Sequence, residues 1–402
     1  MKGIKLGGIL AVFFMALFSY KEVSAEDRIV IKPKITISSE MDSNFYKAEN
    51  EEREVYTFLV QPGIIFGYET GKSSINLDYT LNAAYYNDNS EASEGQKSAG
   101  EDDYLGHIVV LSAKTKPFDR LTLGLEDAYY KTRDPGQADR FSNSVEREKY
   151  SINRLTPMVL YEFGNRFSLG VRYRNTLTDY ERNDAEDSTE HRGICDLIYR
   201  FTRTAALDLE YQHWNRDYDH AADDYTSDQM SLIFRKQFKY FYFEAGGGYH
   251  QRGFDDDVLE DQEAFTYRFA AKGQFPPSPD PRPSSFVKFV AERNFNDSGI
   301  GNNYFKGHQF SLEAGHIFMG KILGTVNADY KINDYVSAAA EGSTREDDTY
   351  GLSLGAGYLF KEWLTFKLSG GYEKRDSNLN GYSYDNKYAM ATVEFNYDLS
   401  MK

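Results

Sequence analysis

The chain carries one cysteine, Cys195, in 402 residues. That excludes an internal disulfide and any zinc site built on paired cysteines. Cys195 itself reads as a small packed side chain. Tryptophan is almost as scarce, at two residues. Beyond residue 25 there is no run of 18 apolar residues, so no mature segment reads as a membrane-spanning helix. Positive charge is also in deficit. The 46 Lys and Arg stand against 62 Asp and Glu, a formal charge of -16. Nucleic acid is excluded as a partner, because it calls for a basic face. Nucleophile elbow, paired-histidine helix and phosphate loop are all missing. His107, His191, His213, His220, His250, His308 and His316 are scattered without metal-ligand spacing. No enzymatic activity, cofactor or defined metal site is expected.

What the chain does have is aromatic side chains, 15% of the total, with 32 Tyr and 28 Phe. Tyr joins an apolar ring to a polar tip, which suits a membrane–water interface. The mean hydropathy of -0.62 suggests a water-soluble chain. A membrane strand exposes only alternate residues to lipid, however, and so averages out as polar.

The first residues read as a secretory signal peptide. Lys2 and Lys5 form a positive start, Leu6 to Phe18 an apolar core, and Val23, Ser24 and Ala25 a cleavage region before Glu26. The expected division is residues 1–25 as signal peptide and 26–402 as the mature domain. No cysteine sits at the cleavage point, so a lipid anchor there is not expected.

The mature chain repeats segments of alternating character. From Ser73 to Tyr86, Ile75, Leu77, Tyr79, Leu81, Ala83 and Tyr85 share one strand face, and Asn76, Asp78, Thr80 and Asn82 share the other. A helix would scatter both sets. Leu207, Leu209 and Tyr211 likewise alternate with Asp208, Glu210 and Gln212, and Leu364, Phe366 and Leu368 with Thr365, Lys367 and Ser369. Connections alternate between short turns, such as Thr70-Gly71-Lys72 and Gly164-Asn165, and long acidic stretches, such as Asn87 to Asp103 and Asp376 to Asn386. Outer-membrane barrels have short periplasmic turns and long extracellular loops.

The expected fold is all-β, an antiparallel up-and-down transmembrane barrel of about eighteen strands, with sixteen as the alternative. Approximate strand centres run from Lys34, Leu59, Leu81 and Val110 to Leu354, Phe366 and Val393. Strand 1 is the least regular, because Pro33 interrupts it. Closure follows from the solvent: the hydrocarbon layer offers no water to satisfy an open strand edge. A soluble antiparallel sheet is the rival. Strand length, alternating loop length and the lack of a fixed repeat count against it.

With the apolar set facing lipid, the polar set lines the interior. The lumen candidates are Arg172, Arg174, Arg200, Asp208, Glu210, Arg235, Arg268 and Lys288. Most read as cross-strand ion pairs bracing the wall. Arg172 and Arg174, two apart on one face, are the better candidates for touching an anionic solute. Asp255, Asp256, Asp257, Glu260, Asp261 and Glu263 form an acidic loop that reads as a solvated tip or a weak divalent-ion surface. Pro276 to Ser285 holds five prolines. It reads as a stiff spacer or a docking point for a periplasmic partner.

One stretch also carries a family resemblance. Lys32-Pro33-Lys34-Ile35-Thr36-Ile37 leads into Asp42-Ser43-Asn44-Phe45-Tyr46, followed by Gln61-Pro62-Gly63-Ile64 and Leu77-Asp78-Tyr79. This is similar to the opening of a family of outer-membrane β-barrels described as porins, some associated with exopolysaccharide or capsule secretion. The resemblance implies a bacterial outer-membrane location and a channel for polysaccharide or other polar solutes. It also implies outer-membrane lipid and lipopolysaccharide as surroundings. The chain departs from the usual aromatic ending: Val393, Phe395, Tyr397 and Leu399 alternate, then Met401 and Lys402 follow. The insertion signal is then internal, or the insertion route differs. Three functions remain open: a porin-like channel, a non-conducting surface barrel acting through its acidic loops, and, more remotely, a membrane-embedded hydrolase.

Overall fold

The computed structural model describes residues 27–89, 97–134, 137, 148–182, 187–219, 222–255, 259–275, 285–296, 304–338 and 344–400. The signal-peptide expectation, the proline-rich segment 276–284, Asp256, Asp257, His220 and the last two residues lie outside them.

Eighteen strands follow in chain order. The first nine are β1 (Arg28–Asp42), β2 (Val55–Glu69), β3 (Ser73–Asp88), β4 (Tyr104–Phe118), β5 (Leu121–Thr132), β6 (Tyr150–Phe163), β7 (Phe167–Tyr180), β8 (Ser188–Thr202) and β9 (Ala205–Tyr218). The rest are β10 (Tyr225–Gln237), β11 (Phe241–Phe254), β12 (Gln262–Phe275), β13 (Ser285–Phe295), β14 (Phe305–Phe318), β15 (Ile322–Ala338), β16 (Thr344–Lys361), β17 (Leu364–Ser377) and β18 (Tyr384–Asn396). Each pairs antiparallel with its neighbours, and β1 pairs with both β2 and β18. The sheet therefore closes on itself and has no free edge, the condition the hydrocarbon layer imposes. Eighteen strands, not sixteen, make the wall, and every expected centre falls inside its strand.

The alternation resolves as an inside-out protein. Leu77, Leu354 and Leu368 stand exposed on the outer face, the last at 66%. Ser168, Ser227 and Asp208 are buried on the inner face. Cys195 departs from the expected interior packing. It is exposed and sits opposite Val171 in register, on the lipid side, where lipid replaces protein as its surroundings.

Pro33 does not break β1. Pairing with β18 begins one residue later, at Lys34, so the position that lacks an N–H lies at the margin of that ladder. Its carbonyl still accepts from Tyr397 N at 3.0 Å. Pro62 and Pro157 fall where the β2–β3 and β6–β7 ladders skip two residues and then resume in the same register. The prolines sit where a donor is already dispensable.

The seam between β1 and β18 has its own fastenings. Ser38 Oγ and Thr392 Oγ1 meet at 3.0 Å inside the wall. At the end bearing the long connections, Ser43 N donates to Lys387 O at 2.8 Å. Asn44, fully buried, binds across the seam. Its backbone N donates to Asn386 Oδ1 at 3.0 Å and its Nδ2 to Asp385 O at 2.9 Å. The Asp-Ser-Asn-Phe motif is thus a latch over the barrel seam.

One outer feature marks the membrane boundary. On the outer face, Tyr79 and Tyr173 bond to His107 and His191 Nδ1 at 3.1 and 2.6 Å. Tyr211 donates to Asp228, Tyr249 to Glu263 and Tyr330 to Asp348, and Tyr267 bonds to His308. These rings form a girdle whose hydroxyls are satisfied toward the long-loop end.

Candidate lumen site

Inward residues come from every second position, so a charged pair two apart in sequence sits one above the other on the inner wall. Arg172 on β7 donates from Nε and Nη2 to Asp196 on β8 at 2.9–3.1 Å, and from Nη2 to Glu210 on β9 at 3.0 Å. Arg235 on β10 pairs with Asp208, and its Nε meets Glu244 Oε2 at 3.1 Å. Arg268 on β12 reaches the other Glu244 oxygen at 2.9 Å. Arg200 donates to Ser168 Oγ at 2.6 Å and lies 3.4 Å from Glu162. A belt of paired opposite charges therefore crosses six adjacent strands, β7 to β12. Low-dielectric burial without partners would be costly, and these partners offset part of that cost.

Lys288 differs. Its nearest carboxylate, Glu313, is 3.9 Å away, and in register it stands directly opposite Lys272. Like charges directly opposite destabilise a sheet. The two lysines line a second cavity of about 560 Å³ at the short-turn end, with Gln237, Tyr242 and Phe286.

Arg174 joins a cavity of about 530 Å³ within the barrel. Seven arginines line it, namely Arg154, Arg172, Arg174, Arg192, Arg216, Arg268 and, from a position that strand parity puts on the outer face, Arg293, against Glu126, Glu190, Glu210 and Glu292. Glu190 is 3% exposed and carries two of them, Arg192 Nε at 3.0 Å and Arg216 Nη2 at 2.9 Å. One carboxylate between two guanidiniums leaves positive charge facing the cavity. Arg192 stacks 4.1 Å over Trp214, which fixes the plane of the guanidinium.

Arg154, Glu190, Arg192, Arg216 and Trp214 were not among the residues singled out from sequence. Their alternation was visible, since Arg192 lies four before Asp196 and Arg216 six after Glu210. Their convergence was not, because it depends on register between strands.

The long-loop end folds inward in two places. Phe45, Val55, Ala84, Tyr86 and Ala99 pack together beneath the β1–β2 connection. Trp214, Tyr225, Leu259 and Tyr304 pack on the opposite wall. Beside the first cluster, Tyr46 OH donates to Asp102 Oδ2 at 3.0 Å. Burial, reinforced by the Asp102 charge, pushes the Tyr46 hydroxyl up to about 12. Burial opposes ionisation of Asp102, yet hydrogen bonds from Lys97 and Tyr46 and the Arg133 charge hold it below the usual carboxylate value. Among the described residues, no group of three or more His, Cys, Asp and Glu side chains is placed to hold a metal ion. In the acidic loop, Asp261 accepts from Phe254 N at 3.1 Å and Glu263 accepts from Tyr249.

A closed eighteen-stranded barrel with an oily exterior, a tyrosine girdle and a charged interior has the architecture of the outer-membrane β-barrels. Residues 243–397 match the model of the family described as "Putative beta-barrel porin 2". Among solved structures, OpdK of Pseudomonas aeruginosa, described with vanillate, superposes with a TM-score of 0.51 at 12% identity. The match covers 91% of this chain and 99% of that one. A second structure of that species, OccK1 (OpdK), gives 0.51 at 11% identity over 92% and 98%. At these identities the likeness is one of fold. No curated protein sequence matches the chain.

Proposed function

We propose that the barrel passes anionic polar solutes, with an acidic polysaccharide leaving the cell as the substrate class of most interest. The observation that carries this reading is the arginine excess around the 530 Å³ cavity. Fixed positive charge on low-dielectric walls concentrates anions and repels cations. The opposed Lys272 and Lys288 at the short-turn end extend the same sign of charge toward the periplasm. Arg172 acts mainly as a brace, being shared by two carboxylates, and Arg174 faces the solute. Arg200, Asp208, Glu210, Arg235 and Arg268 hold the wall in register.

The test is reversal potential across planar bilayers holding the purified barrel. The wild type is expected to favour chloride over potassium, and Arg174→Glu to shift the preference toward potassium. A correctly folded barrel that shows no conductance steps would favour the surface-protein reading. A deletion strain that secretes its usual polysaccharide would remove the export substrate but not the channel.

A further inference from the structure

The outer face carries a site that the lumen does not explain. At the long-loop end of β13 and β14, Arg293 stands directly opposite His308, and Lys306 opposite Phe295. Strand parity puts Arg293, His308 and Lys306 on the lipid side with Phe289, Phe310 and Leu312. Tyr267 of the girdle faces Arg293 in register, and its hydroxyl bonds His308 Nδ1 at 3.0 Å. The three side chains therefore sit at the membrane boundary.

At several other points this rim is acidic or neutralised, although Lys387 on β18 is exposed there too. Asp228, Glu263 and Asp348 accept from tyrosines. Lys131 pairs with Glu181 at 2.7 Å, and Lys374 with Asp376 at 2.7 Å. Arg293 and Lys306 form no ion pair among the described residues. Arg293 Nη1 donates to Phe265 O at 3.1 Å, while its Nε is buried without a partner. Lys306 Nζ lies 5.6 Å over the Phe295 ring, with Asp334 facing it in register. A charge on the lipid face is costly unless the boundary supplies a counter-ion. Adjacent guanidinium and ammonium groups match a phosphate, the first with a fork of donors and the second as a point charge.

We propose that Arg293 and Lys306 bind a phosphate of the phosphorylated glycolipid that fills the outer leaflet, with His308 and Tyr267 forming the floor of the site. The acyl chains then run down the face of the exposed Phe265 and Leu312 and the half-buried Phe289.

Native mass spectrometry of the full barrel in detergent tests it, with diphosphoryl lipid A as the added lipid. Wild type should retain the lipid, and the double variant Arg293→Gln, Lys306→Gln should lose roughly ten-fold or more in affinity, as expected when a charge-assisted bond is removed. Lys131→Gln, which removes a paired rim lysine, should bind like wild type. Heat-modifiable mobility on gels checks that each barrel is folded. Equal retention by the double variant would overturn the site. Equal binding of dephosphorylated lipid A by wild type would show that acyl chains alone are recognised. Equal competition by phosphatidylglycerol would reassign the ligand to any phosphate-bearing lipid. The wild-type comparisons decide the matter even if the double variant fails to fold.

Discussion

Asn44 concentrates more structure in one side chain than any turn residue around it. Its backbone and side chain tie the first connection to β18, and its Oδ1 also accepts from Ala48 N at 3.0 Å. A shorter side chain would strand the buried carbonyl of Asp385 and the amide of Ala48 together. Leaving buried groups unpaired costs about 1–3 kcal/mol each. Asn44→Ala is therefore expected to lower barrel stability by about 2 kcal/mol, read as a lower urea midpoint in lipid vesicles with the slope unchanged. Asn44→Asp turns a buried carboxylate oxygen toward the carbonyls of Ala48 and Asp385, and should be at least as destabilising as Asn44→Ala. A midpoint equal to wild type in Asn44→Ala would show that β1 and β18 hold the seam without the latch.

At the scale of the strand, glycines make room for neighbouring rings. The Tyr388 side chain of β18 lies where a Cβ on Gly371 of β17 would stand, 2.7 Å from two of its ring carbons and from its hydroxyl. Phe286 covers Gly315 in the same way, at 2.5 Å. Such cross-strand cover fills the gap a glycine leaves in a curved sheet. Gly371→Val forces Tyr388 off its seat and should cost about 1–3 kcal/mol, the usual range for overpacking. Adding Tyr388→Ala should recover part of that loss in a double-mutant cycle, whereas additive losses would mean that the ring and the glycine do not meet. Strands were the legible part of this chain, because a face of Leu, Val and Tyr opposite Asp78 or Arg172 has one period and one interpretation. The pairing of Glu190 with both Arg192 and Arg216 was not legible. A register shift of one residue would move those side chains to opposite faces, and spacing within one strand says nothing about register with the next. Pro33 misled for a related reason: its effect depends on where β18 ends, not on β1.

Across the whole molecule, carboxylates help fasten both ends of the cylinder. At the long-loop end, Asp102 joins Tyr46, Lys97 and Arg133. At the short-turn end, Asp398 accepts from Ser400 N at 2.9 Å and meets Lys32 Nζ at 3.2 Å, which draws the chain beyond β18 onto β1. Hydrogen bonds from Ser400, aided by Lys32, pull the Asp398 carboxyl down to about 2. Both groups have folded values below those of an unfolded aspartate, near 3.9. Their contribution is therefore complete above that unfolded value and is lost as pH falls through the folded one. Urea midpoints should stay nearly level from pH 7 to about 5 as far as these two groups are concerned, then decline as pH drops toward about 2. Asp398→Asn should show a lower midpoint at neutral pH and a shallower acid decline, because its tether no longer titrates. A decline as steep as that of wild type would place the acid-sensitive fastening elsewhere, with the loop carboxylates around Asp102 as the next group to remove.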